Sequence, residues 1–378
     1  MPLLSLLRLL FTLLGLAILA CAAYLLWTWY DGNLIERADG TFERVREDWR
    51  LWLGLLLAAW SIGGGKLVLV PLLARKDKHP FKPHHGNGQI IHTPGGHDLY
   101  VEMSGPATAP VMVLTHGWAM DSTIWSETVD ELSKSFRVVT WDLPGLGKSR
   151  GPIGLEEFAS CLDAVIASTG SERVIVAGHS IGGMTIQTLA RQQPALFGGR
   201  IAAVVLINTT YTNPLKTAIL PRLLQALRWP VIEPQMWLTI ALAPLSQLIA
   251  WHSYLNGSAH LANRFGFGKY VTRSQLEHTT WLSTKNSQAA IARGNLAMMR
   301  WDATGALAPL AVPILILAGK VDIMTKPEAS EVIAASSANT RLKVIGGANH
   351  MGFLEAYETY NAEIEGFATY VVGQSAGL

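Results

Sequence analysis

Short apolar runs rich in Val and Ile recur at 111–114, 138–141, 174–177, 204–207, 314–318 and 342–345. Several are apolar at successive positions, the pattern of a strand covered on both faces rather than one. Helical stretches such as 155–168 and 183–193 lie between many of them. Strands that alternate with helices pair in parallel, because the crossover needs a helix's length. The chain is therefore expected to be an α/β protein with a mostly parallel sheet covered by helices. A β-hairpin is expected at its start, from 89–92 and 99–103 joined by Pro94-Gly95-Gly96.

Between the run 174–177 and the helix after it stands Gly178-His179-Ser180-Ile181-Gly182. Strand, sharp turn and helix form the setting of a nucleophile elbow. The turn crowds backbone around the serine, and Gly178 and Gly182 relieve the crowding because they lack a Cβ. Ser180 needs a base to take its proton, and the base needs a carboxylate to orient it. Asp322 follows the strand 314–318 in Gly319-Lys320-Val321-Asp322, and His350 follows 342–345 in Gly346-Gly347-Ala348-Asn349-His350. The C-terminal ends of such strands converge on one crevice, so nucleophile, acid and base occur in the order this architecture uses. Asn208 ends the preceding strand but is not ionisable and cannot replace Asp322. His116-Gly117-Trp118 follows 111–114, where the backbone N–H of Trp118 would join that of Ile181 as an oxyanion donor. His116 and His179 read as structural, bracing the loop and the elbow. Asp142-Leu143-Pro144-Gly145-Leu146-Gly147-Lys148-Ser149 does not have phosphate-loop spacing and reads as a tight loop at the sheet edge.

The N-terminal part carries a different signal. Residues 9–30 hold no charge and end in Trp27, Trp29 and Tyr30, a length and an aromatic border suited to a membrane span. A cleaved signal peptide fits less well, because the apolar run continues past any small-residue cleavage point. A second apolar stretch, 51–74, is interrupted by Gly63-Gly64-Gly65, Lys66 and Pro71. It could span, lie in the interface, or be buried under the catalytic domain. Membrane contact is favoured because 51–60 is apolar nearly all round. Only 15% of the 378 residues are charged, against roughly 25% in a typical domain. The net charge of +2 does not support a nucleic-acid partner. Cys21 and Cys161 lie in unrelated contexts and imply neither a disulfide nor a thiolate metal site. His79, His84 and His85 have no accompanying ligand and read as part of a solvated basic linker, so no metal is expected.

The expected organisation is a transmembrane anchor at 1–30, then a polar connector, the second apolar segment and a basic linker at 31–88. The catalytic core occupies 89–210 and 303–378, interrupted by a helical cap at 211–302. The cap is expected because prolines at 214, 221, 230, 234 and 244 divide that stretch into short helices with no clear strand. An insertion at the C-terminal edge of a sheet is where a lid would sit.

These serial motifs, from His116-Gly117-Trp118 through the elbow to Asn349-His350, resemble those of the α/β-hydrolase superfamily over 89–372. The resemblance implies the α/β-hydrolase fold, with a sheet of about eight strands, a helical cap after the sixth, and no cofactor. Relatives that open epoxides or cleave carbon–halogen bonds use an aspartate at the elbow, and Ser180 argues against both. The chain is thus expected to cleave carboxylic esters, lipidic or long-chain ones, through an acyl-enzyme formed by Ser180, His350 and Asp322. The alternatives are an acyltransferase, a haloperoxidase-like or carbon–carbon bond hydrolase, and a non-catalytic lipid-binding member.

Overall fold

The computed structural model describes residues 2–376. In chain order the elements are helix α1 (Pro2–Asp31), strands β1 (Asn33–Glu36) and β2 (Phe42–Val45), and helices α2 (Asp48–Ala59) and α3 (Gly65–Leu73). There follow β3 (Gln89–His92), β4 (Asp98–Ser104), β5 (Val111–Thr115), α4 (Ser126–Leu132), β6 (Arg137–Trp141), α5 (Leu155–Ser168), β7 (Val174–His179), α6 (Ile181–Gln192) and β8 (Ile201–Ile207). Helices α7 (Pro214–Thr217), α8 (Pro221–Leu227), α9 (Glu233–Ala241), α10 (Ala243–Leu255), α11 (Ser258–Arg264), α12 (Arg273–Lys285) and α13 (Gln288–Met298) form a helical insertion. The chain then returns through β9 (Ile314–Gly319), α14 (Pro327–Ala335), β10 (Thr340–Ile345), α15 (Gly352–Glu355) and α16 (Tyr357–Ala376).

Eight strands make one sheet in the order β10-β9-β8-β7-β5-β6-β4-β3, antiparallel only where β4 meets β3 and β6. Period-two alternation divides the strand residues between two cores. Val113, Val139, Val176 and Ile316 face the side of α5 and α6, while Met112, Leu114, Ile175 and Leu317 face that of α16. Because both sides are covered, β5, β7, β8 and β9 are buried throughout. Strand β10 is the edge, and of its residues Ile345 alone is buried. From β5 the chain moves one way to β6 and then back across to β7. The C-terminal ends of β5 and β7 therefore flank the switch point where a crevice opens.

The N-terminal region departs from expectation in two places. First, the polar connector is not plain: β1 and β2 form an antiparallel hairpin, and α2 starts at Asp48. All eight hairpin residues are exposed, so no buried face imprinted an alternation on the sequence. Second, the basic linker is not free in solvent. Asp77 accepts from the Ser274 N–H at 3.1 Å, Phe81 is buried, and His85 Nδ1 meets Glu102 at 2.8 Å. Helix α1, expected as a membrane anchor, also packs on the rest of the protein. Its N-terminal half docks on the helical insertion: Asn295 Nδ2 donates to Ser5 Oγ at 2.9 Å, Arg8 donates to Ser283 Oγ at 2.8 Å, and Thr12 and Ser253 hydroxyls meet at 2.9 Å. Its C-terminal half packs on α2, where Gly54 lets Leu26 approach closely. Helix α2 runs back along α1, with Asp48 beside Trp29 and Gly65 beside the Asn256 that also meets Gly15. Ser5–Asp31 and Asp48–Leu73 are both long and apolar enough to cross a membrane, and most of each is uncovered.

Candidate active site

Helix α6 begins directly after Ser180, and the turn holds that residue at φ 55°, ψ −115°. A non-glycine residue there carries strain on the order of 1–3 kcal/mol, which surrounding bonds must offset. Ser180 N–H donates to the Ile207 carbonyl at 2.9 Å, and its own carbonyl accepts from Gly183 and Met184 N–H and from Thr209 Oγ1. A Cβ at Gly178 would overlap the Gly182 backbone, and one at Gly182 would overlap the Thr115 carbonyl. The elbow glycines thus let strand, turn and helix pass within touching distance.

Ser180 Oγ lies 3.1 Å from His350 Nε2, and His350 Nδ1 lies 3.0 Å from Asp322 Oδ2. All three residues are buried. Asp322 Oδ1 accepts from the backbone N–H of Met324 and Thr325, at 2.8 and 2.9 Å. Its Oδ2 also accepts from Asn208 Nδ2 at 3.0 Å and Thr325 Oγ1 at 2.8 Å. Asn208 is held in turn by Tyr360, whose hydroxyl donates to Asn208 Oδ1 at 2.9 Å. With Asp322 an acceptor on every side, His350 carries its proton on Nδ1 and leaves Nε2 free to accept from Ser180.

Ile181 N–H heads α6, and Trp118 lies in the loop after β5; neither N–H meets a backbone acceptor among the described residues. Trp118 lines the cavity above Ser180, and its indole N–H donates to the Ile291 carbonyl of α13 at 3.0 Å. His116 accepts from Leu143 N–H on Nε2 at 2.9 Å and donates from Nδ1 to the Gly117 carbonyl at 2.8 Å. That fixes it as a neutral brace between two loops. Gly117 is required because a Cβ there would crowd the His179 ring. His179 Nε2 donates to the His350 carbonyl at 2.9 Å, and its ring packs tilted against Phe353, with centroids 4.3 Å apart. The loop after β6 is a brace as well: Asp142 accepts from Ser122 N–H at 2.7 Å and Lys148 N–H at 2.8 Å.

A family model described as the alpha/beta hydrolase fold matches residues 110–357. The chain belongs to this family. The alpha/beta hydrolase is similar to a pimeloyl-[acyl-carrier protein] methyl ester esterase of Sodalis glossinidius, at 28% identity over 64% of this chain and 87% of that one. It is similar to the esterase of the same name from Nitrosospira multiformis, at 25% identity over 71% of this chain and 98% of the other. Among solved structures it resembles an enol-lactonase from Burkholderia xenovorans LB400, with a TM-score of 0.61, 21% identity, and coverage of 74% and 100% of the two chains. A hydrolase from Pseudomonas aeruginosa gives a TM-score of 0.59 at 23% identity, covering 75% of this chain and 99% of that one.

Electrostatics of the alpha/beta hydrolase agree with the geometry. Burial pushes the Asp322 carboxyl up, but His350, the Thr325 N–H and Asn208 outweigh it and hold the group below the usual carboxylate range. Burial, then the neighbouring His350, lowers His179 well below an ordinary imidazole. Burial also lowers His116, against the pull of Asp142. Sequence reasoning did not find Thr325 or Tyr360, which hold the acid and its neighbour, and treated Asn208 only as a failed substitute for it. Nor did it find Ser5 and Arg8 of α1, which line the same cavity of about 60 Å³ as Ser180, His350 and Trp118. The contacts of Tyr360, Ser5 and Arg8 join residues far apart in the chain and leave no local pattern.

Proposed function

We propose that this alpha/beta hydrolase is a membrane-held serine esterase acting on esters with an apolar chain. The hydrogen-bonded series Ser180–His350–Asp322, ending on a strained serine at a helix N-terminus, carries the reading. Ser180 Oγ attacks the ester carbonyl while His350 Nε2 takes its proton. Asp322 holds the imidazole and stabilises its charged form. The tetrahedral oxyanion accepts from the Ile181 and Trp118 N–H groups, the first at the positive end of α6. His350 then protonates the departing alkoxide oxygen, leaving an acyl-enzyme, and next takes a proton from water as that water attacks the acyl carbonyl. Collapse returns Ser180 and releases the carboxylic acid. Relatives named as methyl ester esterases support an ester as the scissile group.

Two observations support an apolar, membrane-resident substrate. A second cavity of about 230 Å³ lies between α1 and helices α9 and α10, walled by Leu9, Leu13 and Leu16 and by Leu238, Leu245 and Ile249. It shares Ser5, Arg8 and Ile291 with the cavity above Ser180. The uncharged run of α1 also begins at Leu9, yet Phe11 and Gly15 still touch the insertion. At 1.5 Å per residue, the insertion reaches about 9 Å along that run. This is the depth of a helix lying in the interface, about 5–10 Å. Trp237 and Leu248, which do not line that second cavity, are exposed on α9 and α10, as lipid contact requires.

The test is labelling of the detergent-solubilised full chain with a fluorophosphonate, wild type beside Ser180→Ala. The reading expects labelling and ester turnover in the wild type and neither in the variant. Turnover retained by a folded Ser180→Ala would remove the mechanism.

A further inference from the structure

We infer that Arg8, supplied by α1, is an anion-binding residue of the active site, so that the preferred substrate is an ester bearing a carboxylate or phosphate besides its apolar chain. This rests on the esterase reading above and adds a charge requirement to it.

Arg8 lines both the cavity above Ser180 and the apolar cavity beside it, at the place where the two share a wall. It is fixed by two bonds to one residue, from one guanidinium nitrogen to the Ser283 carbonyl at 3.3 Å and from another to Ser283 Oγ at 2.8 Å. The Ser283 hydroxyl also accepts from Asn263 Nδ2 at 3.1 Å and donates to the Thr280 carbonyl at 3.0 Å. Its hydrogen-bonding capacity is therefore spent. It orients the fork but brings no negative charge, and the fork keeps further N–H donors.

The protein itself supplies no counter-ion to Arg8 among the described residues. Helix α1 has no carboxylate before Asp31, and residues 211–302 contain only Glu233, Glu277 and Asp302. Each is committed elsewhere. Glu233 pairs with Arg228 and Arg300, Glu277 with Lys66 and His260, and Asp302 accepts from Thr212 Oγ1 and Thr304 N–H. A partly buried guanidinium is costly to desolvate unless paired, and its planar fork matches carboxylate and phosphate oxygens. The rest of the catalytic cavity's lining includes the apolar Met120, Phe267, Ile291 and Met324 and no carboxylate or further cationic side chain apart from the catalytic His350 and its neighbour His179. An ester entering there has one charged partner to meet, and that partner is Arg8.

The experiment uses the full chain in nonionic detergent. Mono-p-nitrophenyl esters of dicarboxylic acids of increasing length are compared with neutral p-nitrophenyl esters of matching length, for wild type, Arg8→Gln and Arg8→Lys. Dodecyl phosphate is tested against dodecanol as a competitive inhibitor. The wild type is expected to favour the acid-ended ester or the phosphate by on the order of ten-fold in KM or Ki, as one charge-assisted pair would give. Arg8→Gln is expected to abolish that preference, and Arg8→Lys to keep part of it. Preference confined to the esters names a carboxylate, and preference confined to dodecyl phosphate names a phosphate. A wild type with no preference in either arm overturns the proposal even if Arg8→Gln does not fold. Equal losses on charged and neutral esters also overturn it and make Arg8 a structural tie. Absence of turnover on every ester, together with absent fluorophosphonate labelling, defeats the esterase reading itself.

Discussion

Asp322→Asn tests the site at its most constrained atom. Asp322 Oδ1 accepts two backbone N–H groups, from Met324 and Thr325, and neither donor can be reversed. An asparagine must therefore keep its oxygen on that side and turn its NH₂ toward His350 Nδ1 and Asn208 Nδ2, where Oδ2 now stands 3.0 Å from each. Donor then faces donor. Asn208 cannot relieve this by flipping, because its own NH₂ donates to the Asn349 carbonyl and its oxygen accepts from Tyr360. His350 can, by moving its proton to Nε2, but an imidazole protonated there cannot accept from Ser180. The expected loss in kcat is about four orders of magnitude, close to 5.5 kcal/mol. The remaining unsatisfied donor at Asn208 costs about 1–3 kcal/mol of stability. Turnover of a short soluble ester gives the first quantity and urea unfolding in detergent gives the second. A folded variant within about ten-fold of wild-type kcat would refute the tautomer reasoning, since the geometry allows no other orientation of the amide.

Other perturbations probe different parts of the molecule. Burial pushes the Glu127 carboxyl up to about 7; its folded pKa lies above its unfolded one, so stability falls as pH rises from the ordinary carboxylate value to about 7. A thermal melt series from pH 5 to 8 should show that loss in the wild type and a flatter profile in Glu127→Gln; parallel profiles would contradict it. Asp322 has the opposite sign, since its lowered folded pKa makes its stabilisation complete above the unfolded value and lost as pH falls through the folded one. Melts between pH 5 and 3 should therefore fall more steeply for wild type than for Asp322→Asn. Gly294→Ala would drive a Cβ into the Trp118 ring; overpacking of this kind costs about 1–3 kcal/mol, read as a lower melting temperature, and an unchanged one would mean that the ring moves freely. Trp237→Asp with Leu248→Asp, both exposed and outside the two cavities, should weaken binding to phosphatidylcholine vesicles without loss of fluorophosphonate labelling in detergent.

How much could be read from the sequence depended on whether burial was two-sided and local. Strands β5, β7, β8 and β9 are covered on both faces, so their unbroken apolar runs announced them. Ser180 and Asp322 follow two such strands, His350 follows the edge strand β10, and chain order alone brought them to the same end of the sheet. Hairpin β1–β2 escaped because its residues meet only solvent. The bonds from Asn208 and Thr325 to Asp322 escaped for another reason, since Asn, Thr and Tyr in loops look the same whether they hold a carboxylate or face water. Arg8 was the most misleading residue. Beside an apolar run it has the form of a flanking charge, and only its contact with Ser283, remote in sequence, reveals that it lines a cavity.

The docking of α1 on the insertion also changes what a truncation means. A helix of this kind is routinely deleted to obtain a tractable fragment. Here its first turns supply Ser5 and Arg8 to the cavity above Ser180 and hold Asn295, Ser283 and Ser253 in place. A fragment lacking it would keep the elbow, the acid and the base but lose one wall of the chamber they serve. Rates measured on such a fragment would describe an open-sided vessel, without the Arg8 to which we assign its selectivity.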